Sequence, residues 1–451
     1  MDTAAVALGR FAADLRYEDI PQQAVERTKR LILDSIGCAL GAYASEPCSI
    51  VRTIVEGLGG TPESTIIGSG LKTSCPNATL ANGAMIRYLD FNDTYSSRSV
   101  SSVHPSNTIA EALAVAEREH ASGKELIVAV ILGYEVQFRF QDTFAMPNFF
   151  HATVGGFAAP VVAGRLLGLN AEQIANAIGI AGGHNFTINS VYGEGEAISR
   201  MKCMAHAFAS QSGVTAALLA QKGFTGPTSI IESYNRDFEG VPLAPLTERK
   251  GAWAVLRGWM KCFPAYHKSH TAITAVLELV REHGIKAQQV EMVHVKVFDR
   301  AVTKVRNCSR RPQCQEEADH SLPYLLAIAI LEGEVGLDQF AREQWKDSRV
   351  LELMGRMEFQ GDAEFDKLFP ERWPAVVEIK TGNGQRYSRR VDYPKGAPQY
   401  PMTDKEIEAK FRGLAKKVLR DEQIQQIMDT AYHLEELDDV AKLMALLAAR
   451  A

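Results

Sequence analysis

The stretch RYLDFNDTYSSRSVSSVHPSN, from Arg87 to Asn107, is the most polar break in an otherwise apolar half of the chain, and its ends carry two groups suited to proton transfer. Long polar connections inside apolar helical sequence are more often functional than connections of ordinary length. Asp90 ends the run AMIRYLD, where the carbonyl end of a helix disfavours negative charge and inclines the carboxyl group to keep its proton. His104 stands immediately before Pro105, a residue suited to the first turn of a helix, so the positive end of the dipole favours a neutral ring. A carboxyl group that holds a proton and an imidazole that accepts one make an acid–base couple. The plainer alternative makes Asp90 and Asp93 loop acids and His104 a helix cap, and residue types alone do not decide between the two.

Other positions invite the same double reading. Lys202 lies beside Met201, Cys203 and Met204, and Lys261 lies between Met260 and Cys262-Phe263-Pro264. A lysine among apolar neighbours either snorkels to the surface or is a cation held for an anion. His151 follows Phe149-Phe150 and precedes Gly155-Gly156, a pair that signals close backbone approach, although a core histidine bonded to a carbonyl explains it as simply. Tyr324 follows Asp319-His320-Ser321-Leu322-Pro323 at a helix start, where packing is its plain role. Gly193-Glu194-Gly195-Glu196 lacks the strand–turn–helix setting of a phosphate loop, and neither G-x-x-x-x-G-K-[ST] nor G-x-S-x-G occurs. His267-x-x-His270 has no evident third ligand, so no metal site is expected.

These residues must be held by helices. Up to about residue 260 the apolar pattern has helical period with short breaks, and strand-like alternation is scarce. After Pro21, residues Val25, Thr28, Leu31, Ile32, Ser35 and Ile36 fall on one face. The clearest start is Asn170, with Gln173 placed to complete a capping box and Leu169 and Ile174 a staple. From 268 to 398 the texture is α+β: a helix over Thr271–His283, alternation at Val293, Val295 and Val297, and a hairpin of Ala375–Lys380 with Gln385–Val391 around Gly382-Asn383-Gly384. Thr403 and Glu406 then predict a new capped helix, with Met402 and Ile407 as its staple, and the remainder reads as helical. The expected architecture is mainly α: a helical domain formed by residues 1–267 and 399–451, discontinuous in sequence, and a smaller α+β lid domain over 268–398.

Composition narrows the classes. The chain has 451 residues, 46% of them hydrophobic, enough for a large core. With 49 Lys and Arg against 54 Asp and Glu, it lacks the basic field that nucleic acid requires. Its longest apolar run, Leu126 to Leu132, falls far short of the roughly 20 residues of a membrane-spanning helix. The first residues, MDTAAVALGRFAADL, do not follow a secretory pattern, so the expected location is cytoplasmic with no membrane partner. Seven scattered cysteines (Cys38, Cys48, Cys75, Cys203, Cys262, Cys308 and Cys314) include no C-x-x-C pair and read as reduced thiols, which leaves an iron–sulfur cluster without ligands.

Taken together, RLILDSIGCALGA, YLDFNDT followed by HPSN, GYEVQ, FFHATVGGFAAPVVAGRLLGL, MKCMAHAFASQSGVTAALLAQKGFTGP, KCFPAYHKSHTAI and EEADHSLPYLLAIAILEGEV resemble blocks of the MmgE/PrpD family in the same order. That family includes 2-methylcitrate dehydratases and cis-aconitate decarboxylases, and the resemblance runs over nearly the whole chain. It implies a large helical domain, a smaller α+β domain, a homodimer, and catalysis on a small polycarboxylate without metal or organic cofactor. Carried over by position, it implies a pocket of Asp90, Thr94, His104, His151, Lys202, Lys261 and Tyr324. In that picture His104 is the preferred base, Asp90 or His151 the acid, and the two lysines hold the carboxylate on which charge develops. Where the dehydratases carry Glu-Tyr-His after Phe-Pro-Ala, this chain has Tyr266-His267-Lys268, so the pocket rim is expected to differ. The Asp93–His104 loop and the Ala-Asp-His-Ser-Leu-Pro-Tyr block favour dehydration over decarboxylation or epimerisation.

Overall fold

The helices of the first half begin and end where capping residues and apolar faces dictate. The computed structural model describes residues 2–97, 102–145, 149–192, 198–238, 240–249, 251–299 and 311–449. Packing divides the chain into two units, one formed by Met1–Val191, Arg200–Gly258 and Thr403–Ala451, the other built on Trp259–Met402. In the first, α1 (Ala4–Asp14) is capped by Thr3, and α2 (Gln22–Ala42) buries Val25, Leu31, Ile32 and Ile36 as their spacing predicts. Each such side chain contributes about 1.5–3 kcal/mol on leaving water. The exposed α3 (Glu46–Leu58) precedes α4 (Cys75–Tyr88), which runs into the polar loop.

That loop is not structureless. Residues β1 (Tyr95–Ser96) and β2 (Ser102–Val103) pair antiparallel, and a 3-10 turn at Pro105–Asn107 leads into α5 (Thr108–Arg118). This ladder is absent from the sequence expectation because two-residue strands are too short to show alternation. The helices α6 (Gly123–Thr143), α7 (Ala152–Leu166), α8 (Ala171–Gly182) and α9 (Met201–Gln221) complete this part of the bundle. At the start of α8, the Asn170 side chain accepts from the Gln173 N–H at 2.9 Å, and Gln173 returns the bond to the Asn170 N–H at 3.1 Å. Close approach of α4 to α9 depends on Gly83, where a Cβ would stand 3.2 Å from the Ala207 Cα. Between α7 and α9 the tight point is Gly213 against Ala159, whereas Gly155 has ordinary space and Gly156 faces the Asn185 side chain.

The second unit holds α10 (His270–His283), β3 (Val290–Val297), α11 (Leu322–Glu332), β4 (Met357–Gly361), β5 (Ala375–Thr381) and β6 (Arg386–Val391). Its sheet has the order β4-β3-β5-β6, with β3 and β4 parallel and the other pairs antiparallel. Val293, Val295 and Val297 point into the core, and the β5–β6 hairpin turns at Gly382-Asn383-Gly384 with Gly384 at φ +84°. This unit begins before residue 268, because Trp259 and Ala265 belong to its core and the Met260 N–H donates to the Gly396 carbonyl. A Cβ on Gly396 would lie 1.9 Å from the Met260 oxygen, so only glycine permits that bond.

The chain returns to the first unit through α12 (Asp404–Ala415) and α13 (Asp421–Tyr432). The capping box of Thr403 and Glu406 opens α12. Lys410 on α12 pairs with the buried Asp34 of α2 at 2.6 Å, and Lys29 of α2 binds Glu435 at 3.0 Å and the Tyr432 carbonyl at 2.8 Å. Among the described residues no helix is long and apolar enough to cross a membrane. Cys38, Cys48, Cys75, Cys203, Cys262 and Cys314 are free thiols, while Cys308 and Gly193-Glu194-Gly195-Glu196 lie outside the described residues.

Candidate active site

Five sequence-selected residues lie inside the helical unit, and two residues not singled out by sequence join them. Past the end of α4 the backbone turns sharply, with Asp90 at φ +49°, and this aims its carboxylate back into the bundle. There Oδ1 accepts from Arg87 Nη1 at 2.8 Å and Oδ2 from Lys202 Nζ at 3.2 Å, all three side chains being buried. Two cations within hydrogen-bond distance stabilise an ionised carboxylate. Against the helix end, which disfavours the charge, Arg87 and Lys202 are nearer and carry full charges, so they oppose the expected retention of the proton on Asp90.

His104 is bonded through both ring nitrogens. Its Nδ1 lies 2.8 Å from the Asp93 carbonyl, which can only accept, so Nδ1 carries the hydrogen. Its Nε2 lies 3.1 Å from Arg87 Nη2, a donor, and 4.0 Å from Asp90 Oδ1. The ring is thus held neutral, with its lone pair on Nε2. Thr94 is buried beside it and donates from Oγ1 to the Val103 carbonyl at 3.2 Å, closing the β1–β2 ladder.

His151 occupies the cap position of α7, 5.1 Å from His104 between ring centroids. Its Nδ1 is 2.8 Å from Nε2 of His206 on α9, and the His206 ring stands 6.0 Å from that of His104. Burial first, and then the nearby His151 and Arg87, hold His206 well below the usual imidazole range, so it is neutral at physiological pH. A neutral His206 can accept from the Nδ1–H of a protonated His151, which stabilises charge there without a second cation. Sequence reasoning passed over Arg87 and His206, yet both signals were present: Arg87 is three residues before Asp90, and His206 is one helical turn after Lys202 on the same face.

The second unit contains the other two residues. Lys261 is fully buried, in a segment fixed by the Met260–Gly396 bond and by Cys262 Sγ at 3.2 Å from the Lys395 carbonyl. Tyr324 is placed differently from the substrate-binding expectation. Its ring is fully buried on α11 between Phe340 and Trp345, and its hydroxyl donates to the Gln339 carbonyl at 3.3 Å. An apolar helix start turned into the core explains this placement. His267 and His270 likewise pack on Trp259, with centroids 6.1 and 5.6 Å away.

Comparison with known proteins adds three observations. Residues 6–240 match the MmgE/PrpD N-terminal domain and residues 263–434 the MmgE/PrpD C-terminal domain. The human cis-aconitate decarboxylase is 24% identical over 96% of this chain and 92% of its own, and that of Aspergillus terreus is 25% identical over 97% and 94%. The 2-methylcitrate dehydratase of Escherichia coli is 25% identical over 85% of this chain and 84% of its own.

Proposed function

The chain belongs to the MmgE/PrpD family, and from that membership and the buried histidine–carboxylate cluster we propose that it eliminates water from a 2-methylcitrate-like or citrate-like acid. It is an enzyme of lyase type. The observation that carries the reading is the convergence of His104, His151 and the Asp90–Arg87–Lys202 charge cluster in one buried place. In this reading Arg87 Nη2 gives up its bond to His104 Nε2 as it turns to the substrate carboxylate, Nε2 then takes the proton from the carbon next to that carboxylate, and the electron pair forms the alkene as hydroxide departs. Protonated His151 supplies the proton that turns the departing hydroxide into water. The cationic groups of Arg87 and Lys202 stabilise the charge that builds on the substrate carboxylate. Thr94 lies next to His104 and has lone pairs left to accept a substrate hydroxyl. Side chains alone carry every step, so treatment with a chelator is expected to leave turnover unchanged.

A second reading is decarboxylation of a cis-aconitate-like acid, favoured by one observation: the decarboxylases align over 96–97% of this chain, the dehydratase over 85%. That reaction breaks a carbon–carbon bond, releases carbon dioxide and needs an acid but no base. We further propose a homodimer, supported by Ile50, Ile54 and Leu58, which expose 51%, 58% and 63% of their area at successive turns of α3. The deciding experiment incubates the purified protein with 2-methylcitrate, citrate and cis-aconitate and follows alkene absorbance, carbon dioxide and solvent proton exchange. Dehydration gives alkene without carbon dioxide, and His104→Ala and Lys261→Ala are expected to abolish it. Near-normal turnover in both variants removes the basis of the role assignment.

A further inference from the structure

The turn that carries His104 is closed by a set of bonds the proton-transfer scheme leaves unused. Asp93 occupies its centre and acts through three atoms. Its carbonyl accepts from His104 Nδ1 at 2.8 Å, its Oδ1 accepts from the Ser106 N–H at 3.0 Å, and its Oδ2 accepts from the Tyr134 hydroxyl at 2.5 Å. Asp93 and Tyr134 are both buried, Tyr134 fully so on α6. The same helix holds the far side of the turn, since Gln137 Nε2 donates to the Pro105 carbonyl at 3.1 Å. On the near side Lys410 of α12 donates to the Phe91 carbonyl at 2.8 Å, and Asn92 Nδ2 donates to Ser106 Oγ at 2.9 Å.

We propose that Asp93 and Tyr134 are positioning residues that fix the tautomer of His104, an inference that rests on the reading of His104 as the base. The argument starts from the carbonyl. An oxygen that can only accept forces the imidazole hydrogen onto Nδ1 and leaves the lone pair on Nε2, the atom that must take the substrate proton. A backbone carbonyl has no side-chain freedom, so its aim is set by whatever fixes the peptide around it. Here that is the Asp93 carboxyl group, tied forward to Ser106 and across to Tyr134. Arg87 Nη2, 3.1 Å from Nε2, favours the same tautomer, so a loop released from those ties leaves that one bond to hold it, and the ring then partly populates the other tautomer, whose lone pair on Nδ1 faces the backbone and not the reactant. Because a reacting group displaced by about 1 Å can cost on the order of a hundredfold in rate, the loss falls on turnover and not on substrate binding.

The test uses the full chain labelled with nitrogen-15 at histidine, the His104 signals being identified by their disappearance in His104→Gln. In the unaltered protein Nδ1 is expected to be protonated and Nε2 bare. Asp93→Asn keeps an acceptor oxygen and a polar partner for Tyr134, and should retain both that tautomer and most of the activity. Asp93→Ala and Tyr134→Phe should give mixed tautomers. With 2-methylcitrate and cis-aconitate as probes, kcat should fall about a hundredfold in Asp93→Ala and about tenfold in Tyr134→Phe, with KM within about threefold. Should Asp93→Ala fail to fold, Tyr134→Phe, which removes a single oxygen, decides. The proposal is overturned if His104 keeps one tautomer and full kcat in the folded variants, or if the unaltered protein carries its hydrogen on Nε2. If neither acid is turned over, the functional reading falls, while the nitrogen signals still decide the positioning role.

Discussion

Two buried carboxyl groups flank α9, and they have opposite surroundings. Asp90 meets Lys202 near the start of that helix, and Glu111 of α5 lies beside Ser210, two turns further along. Both are withdrawn from water, but Asp90 has a guanidinium and an ammonium within 3.2 Å. Among the described residues no cation offsets the burial of Glu111, which pushes it up to about 8, and Ser210 offsets that only in part. Neither of its carboxyl oxygens has a well-aligned hydrogen-bond partner among the described residues. The comparison teaches that burial inclines a carboxyl group to keep its proton and that neighbouring cations oppose this without always cancelling it, since Asp34 stays raised beside Lys410 at 2.6 Å. Burial acts in the same direction on Asp93 and Asp34, and Glu111 is the group pushed as far as about 8.

The largest way to break the contrast is to remove the carboxylate from between its cations. Asp90→Ala leaves Arg87 and Lys202 buried without that partner, and breaking a buried pair in this way costs about 3–5 kcal/mol. Urea unfolding of the two proteins measures it. Asp90→Asn should fold better while still losing activity, since it keeps the shape but not the charge. A loss under about 1 kcal/mol in Asp90→Ala would mean that the cations do not depend on Asp90, and the account of its ionised state would fail.

Glu111 makes the opposite prediction. Its folded value is raised above the ordinary 4.5, so below that pH both folded and unfolded chains hold the proton and the group is neutral in its effect. As pH rises the unfolded chain releases its proton first, and stability falls until about pH 8, where the folded form ionises too. By pH 7 the loss amounts to about 3 kcal/mol, at 1.36 kcal/mol per pH unit. Glu111→Gln cannot ionise, so its melting temperature should decline less between pH 5 and pH 8 than that of the unaltered protein. Parallel curves would show that Glu111 titrates normally.

What could be read in advance followed from local rules. The capping boxes at Asn170 and Thr403, the alternation through Val293–Val297 and the Gly382-Asn383-Gly384 turn each depend on a few adjacent residues, and each is present. The loop stood out by its polarity, and His104 by its place before Pro105. The partners of Asp90 were not legible, because Lys202 reaches it only through the α4–α9 approach at Gly83, a tertiary contact without a local signature. Glu111 was hidden for a similar reason: α5 is buried on all sides, so its polar residues have no solvent face to mark them as exceptions. The two-residue strands flanking the loop were too short to register as a period.

Tyr324 extends the comparison to a buried polar group with no charge at stake, and it should give the smallest effect. Its hydroxyl is spent on the Gln339 carbonyl at a long 3.3 Å, and its ring contributes through Phe340 and Trp345, contacts that phenylalanine reproduces. Burial pushes the phenol above its ordinary value, which keeps it a neutral donor at any working pH. Tyr324→Phe should therefore cost about 1 kcal/mol or less in urea unfolding and leave kcat and KM within about twofold. A tenfold drop in kcat at unchanged stability would return this hydroxyl to the reacting centre. In that case its burial in the core of the second unit would be a resting arrangement of a functional group, and the contrast between charged and uncharged buried groups would no longer separate chemistry from packing.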